Sequence, residues 1–220
     1  MTFDTIKFTE ELFSSDKLAW LQLDVDVDID SFVAEVPAID PYFVTHRKYE
    51  EHKGWSSCCL HGMGIDKTEG WENYVASESD AEYQWTALSA LAPSITHFWK
   101  NIFPVERYYR IRFMKLDAGG YISRHRDREP ETADQLAVFP DSVAINFAIT
   151  QPQDCTMTFE DHGTVPWTPG SAIILDVSKI HEVQNLSKVP RVHMIAHAVI
   201  GNRKQEFCDL IYRSYQKYAR

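Results

Sequence analysis

The part of the chain that follows Pro104 is a series of short segments rich in β-branched and aromatic residues, separated by residues that form turns. The turns fall at 117–120 (DAGG), 152–154 (PQD) and 168–170 (TPG). Because seven or eight strands follow one another without helices, the sequence predicts a barrel or a double-sheet jelly roll. The predicted strands are YYRIRFMKL, GYISRHRD, SVAINFAIT, CTMTFE, SAIILDV, HEVQN and RVHMIAHAVI.

The sequence of the N-terminal part predicts two short helices, one before and one after a polar segment. Residues 18–21 and 31–39 are expected to be helical, the second with Asp30 or Ser31 as its N-cap. The alternating acidic residues at 23–30 lack the glycine and the final glutamate of a calcium loop. This segment is therefore expected to be an edge strand or a turn.

Three further segments complete the predicted framework. Residues 55–64 predict a strand with a glycine-rich end. Between residues 77 and 99, apolar side chains recur at helical spacing with an interruption at Pro93, which predicts two helices or one broken helix. The last segment, RKQEFCDLIYRSYQKYA, predicts an amphipathic helix on the outside of the barrel.

The 220 residues are expected to form one domain that is mainly β with flanking helices. Residues 1–104 would supply the N-terminal helices and supporting strands. Residues 105–200 would form the jelly-roll core, and residues 201–220 the C-terminal helix.

Composition excludes several classes of function. A net charge of −10 argues against a broad phosphate-binding surface, so nucleic-acid binding is not expected. No segment approaches the ~20 apolar residues of a membrane-spanning helix. The N-terminus, MTFDTIKFTEELF, lacks a signal-peptide core, so a cytoplasmic protein is expected. The four cysteines, Cys58, Cys59, Cys155 and Cys208, are expected to be buried or free thiols.

The clearest chemistry lies in His125 and Asp127, at the end of one predicted strand, and in His181, on another. On a single strand, His125 and Asp127 would point to the same face because side chains alternate. Two imidazoles and a carboxylate suit Fe(II), which they bind on one face while other positions stay open. Arg191, ten positions after His181, would offer a bidentate fork to a carboxylate if it points inward. His193 alternates in phase with Arg191 and competes with His181 as a ligand.

Over about residues 55–200, the chain resembles the aspartyl/asparaginyl β-hydroxylase branch of the 2-oxoglutarate- and Fe(II)-dependent oxygenases. The resemblance implies a double-stranded β-helix fold, a cupin-like jelly roll. It implies Fe(II) bound by His125, Asp127 and His181, with Arg191 on the distal carboxylate of 2-oxoglutarate and the other end of 2-oxoglutarate chelating the iron. The reaction implied is hydroxylation of an unactivated C–H bond by O2, with release of succinate and CO2. The matching segments are RIRFMKLDAGGYISRHRD, AINFAITQPQDCTMTF, WTPGSAIILDVSKIHEVQN and RVHMIAHAV.

The resemblance also suggests roles for neighbouring residues. Asn146 falls where family members often carry a polar contact to 2-oxoglutarate. Arg112 would reach 2-oxoglutarate or substrate if it points inward, and would be an ordinary surface residue if it points outward. The family spacing to Arg191 favours His181 as the ligand, which leaves His193 to line the pocket. His197 is expected to be a hydrogen-bonded core histidine.

Four other residues and one insert lie near this site in the sequence. Asp176 and Ser178 are expected to orient His181. Trp55 and Trp167 are expected to be core residues rather than substrate platforms. The polar insert 128–140 follows Asp127 closely, and a long loop beside a site often binds substrate or forms a lid.

The substrate is predicted only as a class. Family members that act on protein domains can have glycine at the position of Asp127, whereas proline 3-hydroxylases and similar enzymes commonly keep the carboxylate. This favours a free amino acid or short peptide, with an Asp, Asn or Pro-type residue of a protein left open. A non-catalytic cupin-like metal-binding or sensor module is the alternative function. A zinc hydrolase would use a similar ligand set, but no dedicated general base is evident.

Overall fold

The computed structural model describes residues 3–13, 18–46, 52–127 and 142–219, so the predicted insert 128–140 lies outside the described residues. The described chain forms a mostly antiparallel sheet curled into a half-barrel with flanking helices, which confirms the predicted fold class. The strands are β1 (Trp20–Leu23), β2 (Val44–Thr45), β3 (His52–Gly62), β4 (Gln84–Trp85), β5 (Arg107–His125), β6 (Ser142–Thr150), β7 (Cys155–Phe159), β8 (Gly163–Thr164), β9 (Ala172–Leu175), β10 (His181–Asn185) and β11 (Arg191–Val199).

The longest strand, β5, joins the two halves of this sheet. The strand order is β1-β9-β6-β11-β5-β10-β7-β8, and β3 pairs with the other edge of β5. Residues 107–116 of β5 pair with β11, whereas residues 121–125 pair with β10. Apolar side chains of β9 on one half pack with those of β7 and β10 on the other. The change of partner within β5 therefore produces two halves that enclose an interior.

Two glycines make this change of partner possible. The turn predicted at 117–120 is wrong, because β5 continues through it as one strand of 19 residues. Gly119 has a φ of +69°, a conformation that glycine adopts without steric cost. A Cβ on Gly120 would lie 2.8 Å from the carbonyl oxygens of Asp117 and Lys53. The glycines thus bend the strand, and they do not reverse its direction.

The two glycines should respond differently to replacement by alanine. Gly119→Ala is expected to cost about 1–2 kcal/mol in unfolding free energy, because only its left-handed backbone opposes a side chain and nothing lies within 4 Å of the added atom. Gly120→Ala is expected to cost about 3 kcal/mol or more, since two backbone carbonyls must move. Urea unfolding of both variants measures the difference. Equal losses would contradict this account of the bend.

The helices lie at the two ends of the described chain and before β5. They are α1 (Thr5–Phe13), α2 (Ile29–Ile39), α3 (Leu88–Leu91), α4 (Pro93–His97) and α5 (Lys204–Tyr218), with a π-helical segment (Phe98–Ile102) and 3₁₀ turns (Asp40–Tyr42, Trp71–Asn73, Glu78–Asp80, Gly201–Arg203). The predicted C-terminal helix is confirmed as α5. Its buried residues include Phe207, Leu210 and Ile211, and it contacts α1 and β1.

Several predicted boundaries change. The helix predicted at 18–21 is wrong, because β1 occupies Trp20–Leu23 and pairs with β9. The helix predicted at 31–39 is present as α2, but its N-cap is Asp28, whose carboxylate accepts a hydrogen bond from the Ser31 amide. Most of 77–87 is not helical, since it contains a 3₁₀ turn and the strand β4. The interruption at Pro93 is confirmed as the start of α4.

Strand alternation separates an outer core from the interior. In β6, Ile145, Phe147 and Ile149 join a cluster with helical residues such as Phe98 and Phe207. The residue between the first two, Asn146, lines the interior cavity. Because adjacent side chains in a strand point to opposite faces, the helices cover the outer face of β6 and β11, and the inner face is left for polar residues.

The four cysteines agree with the expectation from composition. Cys58, Cys59, Cys155 and Cys208 are all buried free thiols. Burial raises the pKa of the Cys59 thiol to about 11, so it stays protonated at neutral pH. No helix in the described ranges is both long and apolar enough to cross a membrane.

A buried histidine on β3 should make stability depend on pH. Burial lowers the pKa of His61 to about 4, and its Nδ1 has no hydrogen-bond partner. Its ring packs against Trp85 with centroids 5.0 Å apart. The unfolded chain takes up a proton on this side chain below pH ~6.5, and the folded chain does so only near pH 4. Stability is therefore expected to fall by about 2 kcal/mol as pH drops through this interval.

The variant His61→Phe isolates this effect because it keeps the aromatic packing and removes the titrating group. Urea unfolding at pH 6.5 and pH 4.5 should show a smaller loss of stability for the variant than for the wild-type protein. An equal loss in both proteins would mean that other groups cause the pH dependence.

Candidate metal centre and active site

Every second side chain of β11 points to the inner face of the sheet, and the first two of these are polar. Val192 and Met194 pack into the outer core, whereas Arg191, His193 and Ile195 line a cavity inside the half-barrel. The cavity walls also include apolar residues from both halves of the sheet. These are Met114, Ile122, Met157, Leu175, Val177 and Val183.

His125, Asp127 and His181 meet at one wall of this cavity, as their pattern predicts. One ligand atom from each residue lies within 4.8 Å of the others. His125, the last residue of β5, is the register partner of His181, the first residue of β10. Asp127 lies just beyond the strand, so the prediction that it shares a strand with His125 is wrong. Its amide donates to the Val177 carbonyl at 2.9 Å, which fixes the backbone on which the carboxylate is carried.

Backbone carbonyls fix the same tautomer in both histidines. The Nδ1 of His125 lies 2.7 Å from the Ser123 carbonyl, and the Nδ1 of His181 lies 2.9 Å from the Lys179 carbonyl. A carbonyl oxygen only accepts, so each Nδ1 carries the proton and each Nε2 keeps its lone pair. Metal-binding histidines commonly donate their other ring nitrogen in this way.

The charge state of these groups also suits a metal ion. Burial lowers the pKa of His181 below its usual value, so its imidazole is neutral at pH 7. The Nε2 of His125 lies 3.4 Å from a carboxylate oxygen of Asp127. Two imidazoles and one carboxylate whose ligand atoms lie close together fit the facial ligand set of a non-haem Fe(II).

A second group of polar side chains surrounds Arg191. Its side chain is buried, its Nε has no hydrogen-bond partner, and no described carboxylate pairs with it. Burial lowers the pKa of Arg191, and a side-chain hydrogen bond with the Cys155 thiol opposes this shift. A buried guanidinium is costly without an anion, so this part of the cavity fits the carboxylate of 2-oxoglutarate.

The hydrogen bonds of His193 set it apart from His125 and His181. The Nε2 of His193 lies 2.7 Å from the Gln151 side-chain oxygen and therefore donates its proton there. Burial, and then the nearby Arg191, hold the pKa of His193 well below its usual range. His193 is thus a neutral cavity residue beside Arg191, and it is absent from the group that could hold a metal.

The remaining predicted residues also lie in or beside the cavity. Asn146 lines it from β6. Arg112 points inward and is 7% exposed, so the outward alternative is wrong. The Nε2 of His197 is half-buried beside an Arg112 nitrogen at 3.2 Å. Asp176 accepts hydrogen bonds from the amide and hydroxyl of Ser178 within the turn before His181, and neither is the direct partner of the His181 ring.

Three cavity residues were not predicted from the sequence. Trp55 and Trp167 were expected only in the core, but each also lines the cavity, and each has a buried indole N–H without a hydrogen-bond partner. His46 lines the cavity from the segment before β3. No local pattern marks these residues, because they reach the cavity through strand pairing with distant segments.

Comparisons with known proteins agree with this geometry. The family model described as aspartyl/asparaginyl β-hydroxylase matches residues 24–199. No curated protein matched the sequence. An oxidoreductase of the 2OG-Fe(II) oxygenase family from Burkholderia pseudomallei has a similar structure, with a TM-score of 0.50, 11% identity, and coverage of 92% of this chain and 93% of that chain.

Two prolyl hydroxylases are also among the similar structures. The Pseudomonas putida prolyl-4-hydroxylase has a TM-score of 0.46 and 14% identity, covering 88% of this chain and 98% of that chain. A Trichoplax adhaerens prolyl hydroxylase, solved with a hypoxia inducible factor oxygen degradation domain peptide fragment, has a TM-score of 0.48 and 11% identity, covering 94% and 97%.

Because the family match spans most of its length, the chain belongs to the aspartyl/asparaginyl β-hydroxylase family. It is a 2-oxoglutarate-dependent oxygenase of the hydroxylase class, and its cofactor and co-substrates are Fe(II), 2-oxoglutarate and O2. This confirms the resemblance found in the sequence and disfavours both the non-catalytic module and the zinc hydrolase.

Proposed function

We propose that this enzyme hydroxylates a C–H bond of an amino acid, or of an Asp, Asn or Pro-type residue in a peptide or protein, with Fe(II) bound by His125, Asp127 and His181. The observation that carries the proposal is the convergence of two Nε2 lone pairs and one carboxylate at the wall of an inward cavity. Oxidative decarboxylation of 2-oxoglutarate at such an iron supplies the oxidising power for hydroxylation.

The three ligands have distinct tasks in this proposal. His125 and His181 would bind the metal ion through Nε2 from two paired strands, so their separation is fixed by a backbone register. Asp127 contributes a negative charge, which would partly neutralise the positive charge of the metal ion. A metal ion held by these three residues would keep other positions open for 2-oxoglutarate and O2.

Arg191 is assigned to the distal carboxylate of 2-oxoglutarate. Support comes from its burial and from its unpartnered Nε. Trp167 packs edge-on against His193 with ring centroids 4.7 Å apart, and its unpartnered indole N–H offers a further donor at this end of the cavity. His193 adds no charge there because it is neutral and donates to Gln151.

Apolar walls assist the chemistry by excluding water. Ile122, Met157, Leu175 and Val183 line the cavity from both halves of the sheet. A dry site strengthens the attraction between Arg191 and a carboxylate, and it protects a reactive centre from side reactions.

The direct test measures succinate formation by the purified protein with Fe(II), 2-oxoglutarate and O2. Slow succinate formation is expected without any substrate, and it should require both Fe(II) and 2-oxoglutarate. A screen of amino acids and peptides should then find a compound that stimulates succinate formation and gains the mass of one oxygen atom. Metal binding without 2-oxoglutarate binding would refute the proposal in favour of a non-catalytic metal-binding module.

A further inference from the structure

The cavity has a second polar end, which the proposed roles of iron and 2-oxoglutarate leave unused. We call it the Arg112 end, and it consists of Arg112, His46, Trp55 and His197. Arg112, His46 and Trp55 line the cavity itself. The question is which chemical group this end would bind.

The guanidinium of Arg112 is held in a defined plane. It donates to the Thr68 carbonyl at 2.9 Å, and its nitrogens lie 3.4 Å from the Nε2 of His46 and 3.2 Å from the Nε2 of His197. A guanidinium can only donate, so both Nε2 atoms accept, and both imidazoles carry their proton on Nδ1. The Nδ1 of His46 lies 2.9 Å from the Ser57 hydroxyl, which continues the network. The arginine fork is therefore preorganised at the cavity wall.

Trp55 adds a donor that contacts this network through His46. Its ring packs edge-on against His46 with centroids 4.4 Å apart, and its indole N–H is buried without a hydrogen-bond partner. A buried donor without a partner is costly, and a ligand acceptor in the cavity would satisfy it. Arg112 and Trp55 both contact His46 and both line the cavity. A guanidinium and an indole N–H facing one cavity suit an anionic oxygen ligand such as a carboxylate.

Arg112 is separate from Arg191 along the sheet. In the pairing of β11 with β5, Arg191 lies opposite Leu116, and Arg112 lies opposite Ile195. Four strand positions separate the two arginines, which is about 13 Å of strand. Their side chains also diverge, since Arg112 contacts His197 farther along β11 and Arg191 contacts Cys155 on β7. The four carbon–carbon bonds of 2-oxoglutarate span at most about 6 Å, so one molecule would not occupy both ends.

We propose that the Arg112 end binds a carboxylate of the substrate through Arg112 and Trp55, so that the molecule hydroxylated is a carboxylic acid. This inference rests on the proposed function and narrows its substrate class. The carboxylate comes either from a free amino acid or from an acidic side chain of a peptide. The Arg112 end recognises the same chemical group in both cases.

The turnover test compares acids with matched neutral compounds. Wild-type protein with Fe(II), 2-oxoglutarate and O2 is given each of the common L-amino acids, each corresponding carboxamide, and two capped pentapeptides that differ only in a central Asp or Asn. At least one acid is expected to stimulate succinate formation about tenfold more than its neutral counterpart and to gain one oxygen. A free acid identifies an α-carboxylate, whereas the Asp peptide identifies a side-chain carboxylate.

Two variants test the residues. Arg112→Met should raise the concentration of the stimulating acid needed for half-maximal turnover by about 30-fold or more, and Trp55→Phe should raise it by about fivefold. The concentration of 2-oxoglutarate needed should change less than about twofold in both variants. Arg110→Met is the matched control, because Arg110 also donates to the Thr68 carbonyl but does not line the cavity. It should leave the requirement for the acid near the wild-type value.

Several results would overturn the carboxylate assignment. These are equal stimulation by acids and their neutral counterparts, no stimulation by any acid, or an equal effect of Arg110→Met and Arg112→Met. If the wild-type protein forms no succinate at all, the proposed function fails instead. Tryptophan fluorescence titrated with the same acids and carboxamides then decides the site separately: quenching by an acid that is lost in Trp55→Phe supports it, and its absence refutes it.

Discussion

Replacing Arg191 with methionine is expected to raise the 2-oxoglutarate concentration for half-maximal turnover by about 100-fold. Methionine keeps much of the side-chain volume in the buried position but removes every donor. The charge-assisted pair with the distal carboxylate would be lost in a site that excludes water, where such pairs are strongest. The measurement is succinate formation against 2-oxoglutarate concentration at saturating Fe(II).

A graded series makes this prediction specific. Trp167→Phe keeps the ring against His193 and removes only the indole N–H, so its 2-oxoglutarate requirement should rise by about fivefold. Arg110→Met, which removes an arginine that does not line the cavity, should leave the requirement unchanged. An unaltered 2-oxoglutarate requirement in Arg191→Met would show that another residue binds the distal carboxylate.

Removing one proposed metal ligand is expected to weaken iron binding about as much as Arg191→Met weakens the use of 2-oxoglutarate. Asp127→Ala and His181→Ala should each weaken Fe(II) binding by about 100-fold or more, because two remaining ligands no longer define a face of the metal ion. Asp127 is the more informative position, since its side chain is 38% exposed and its loss should disturb folding least. Anaerobic titration with Fe(II), or with Co(II) as an absorbing substitute, measures the affinity.

Matched controls come from two exposed residues nearby. Asp161→Ala and His162→Ala remove the same functional groups from the turn after β7, outside the group that could hold a metal. They should leave the affinity within about twofold of wild type. Unchanged affinity in both Asp127→Ala and His181→Ala would remove these residues from the metal site.

The fold was predictable from sequence where the residues of one segment are enough to identify a strand. Segments such as SVAINFAIT and RVHMIAHAVI are predicted as strands, and they form β6 and β11. The error at 117–120 has a physical cause: the same two glycines that suit a turn also suit a bent strand. Pairing with β3 along the length of β5 decides between the two, and no local pattern reveals that pairing.

The site was predictable to the extent that its chemistry is local. His125, Asp127, His181 and Arg191 follow a recognisable order, and the first three converge as that order implies. The hydrogen bonds that set the two ligand tautomers come from backbone carbonyls, so the sequence of side chains does not encode them visibly. The cavity positions of Trp55 and Trp167 were not predictable either, because only the folded sheet brings their N–H groups into the cavity.

One strand carries both a proposed metal ligand and the proposed substrate anchor. Arg112 and His125 lie on β5 on either side of Gly119 and Gly120. The distance from a bound carboxylate to the metal ion would then be fixed by the backbone of this one strand. Which carbon of the substrate is oxidised would follow from the number of residues between the two side chains and from the angle of the bend. The geometry of the longest strand, β5, would thus determine the regiochemistry of this enzyme.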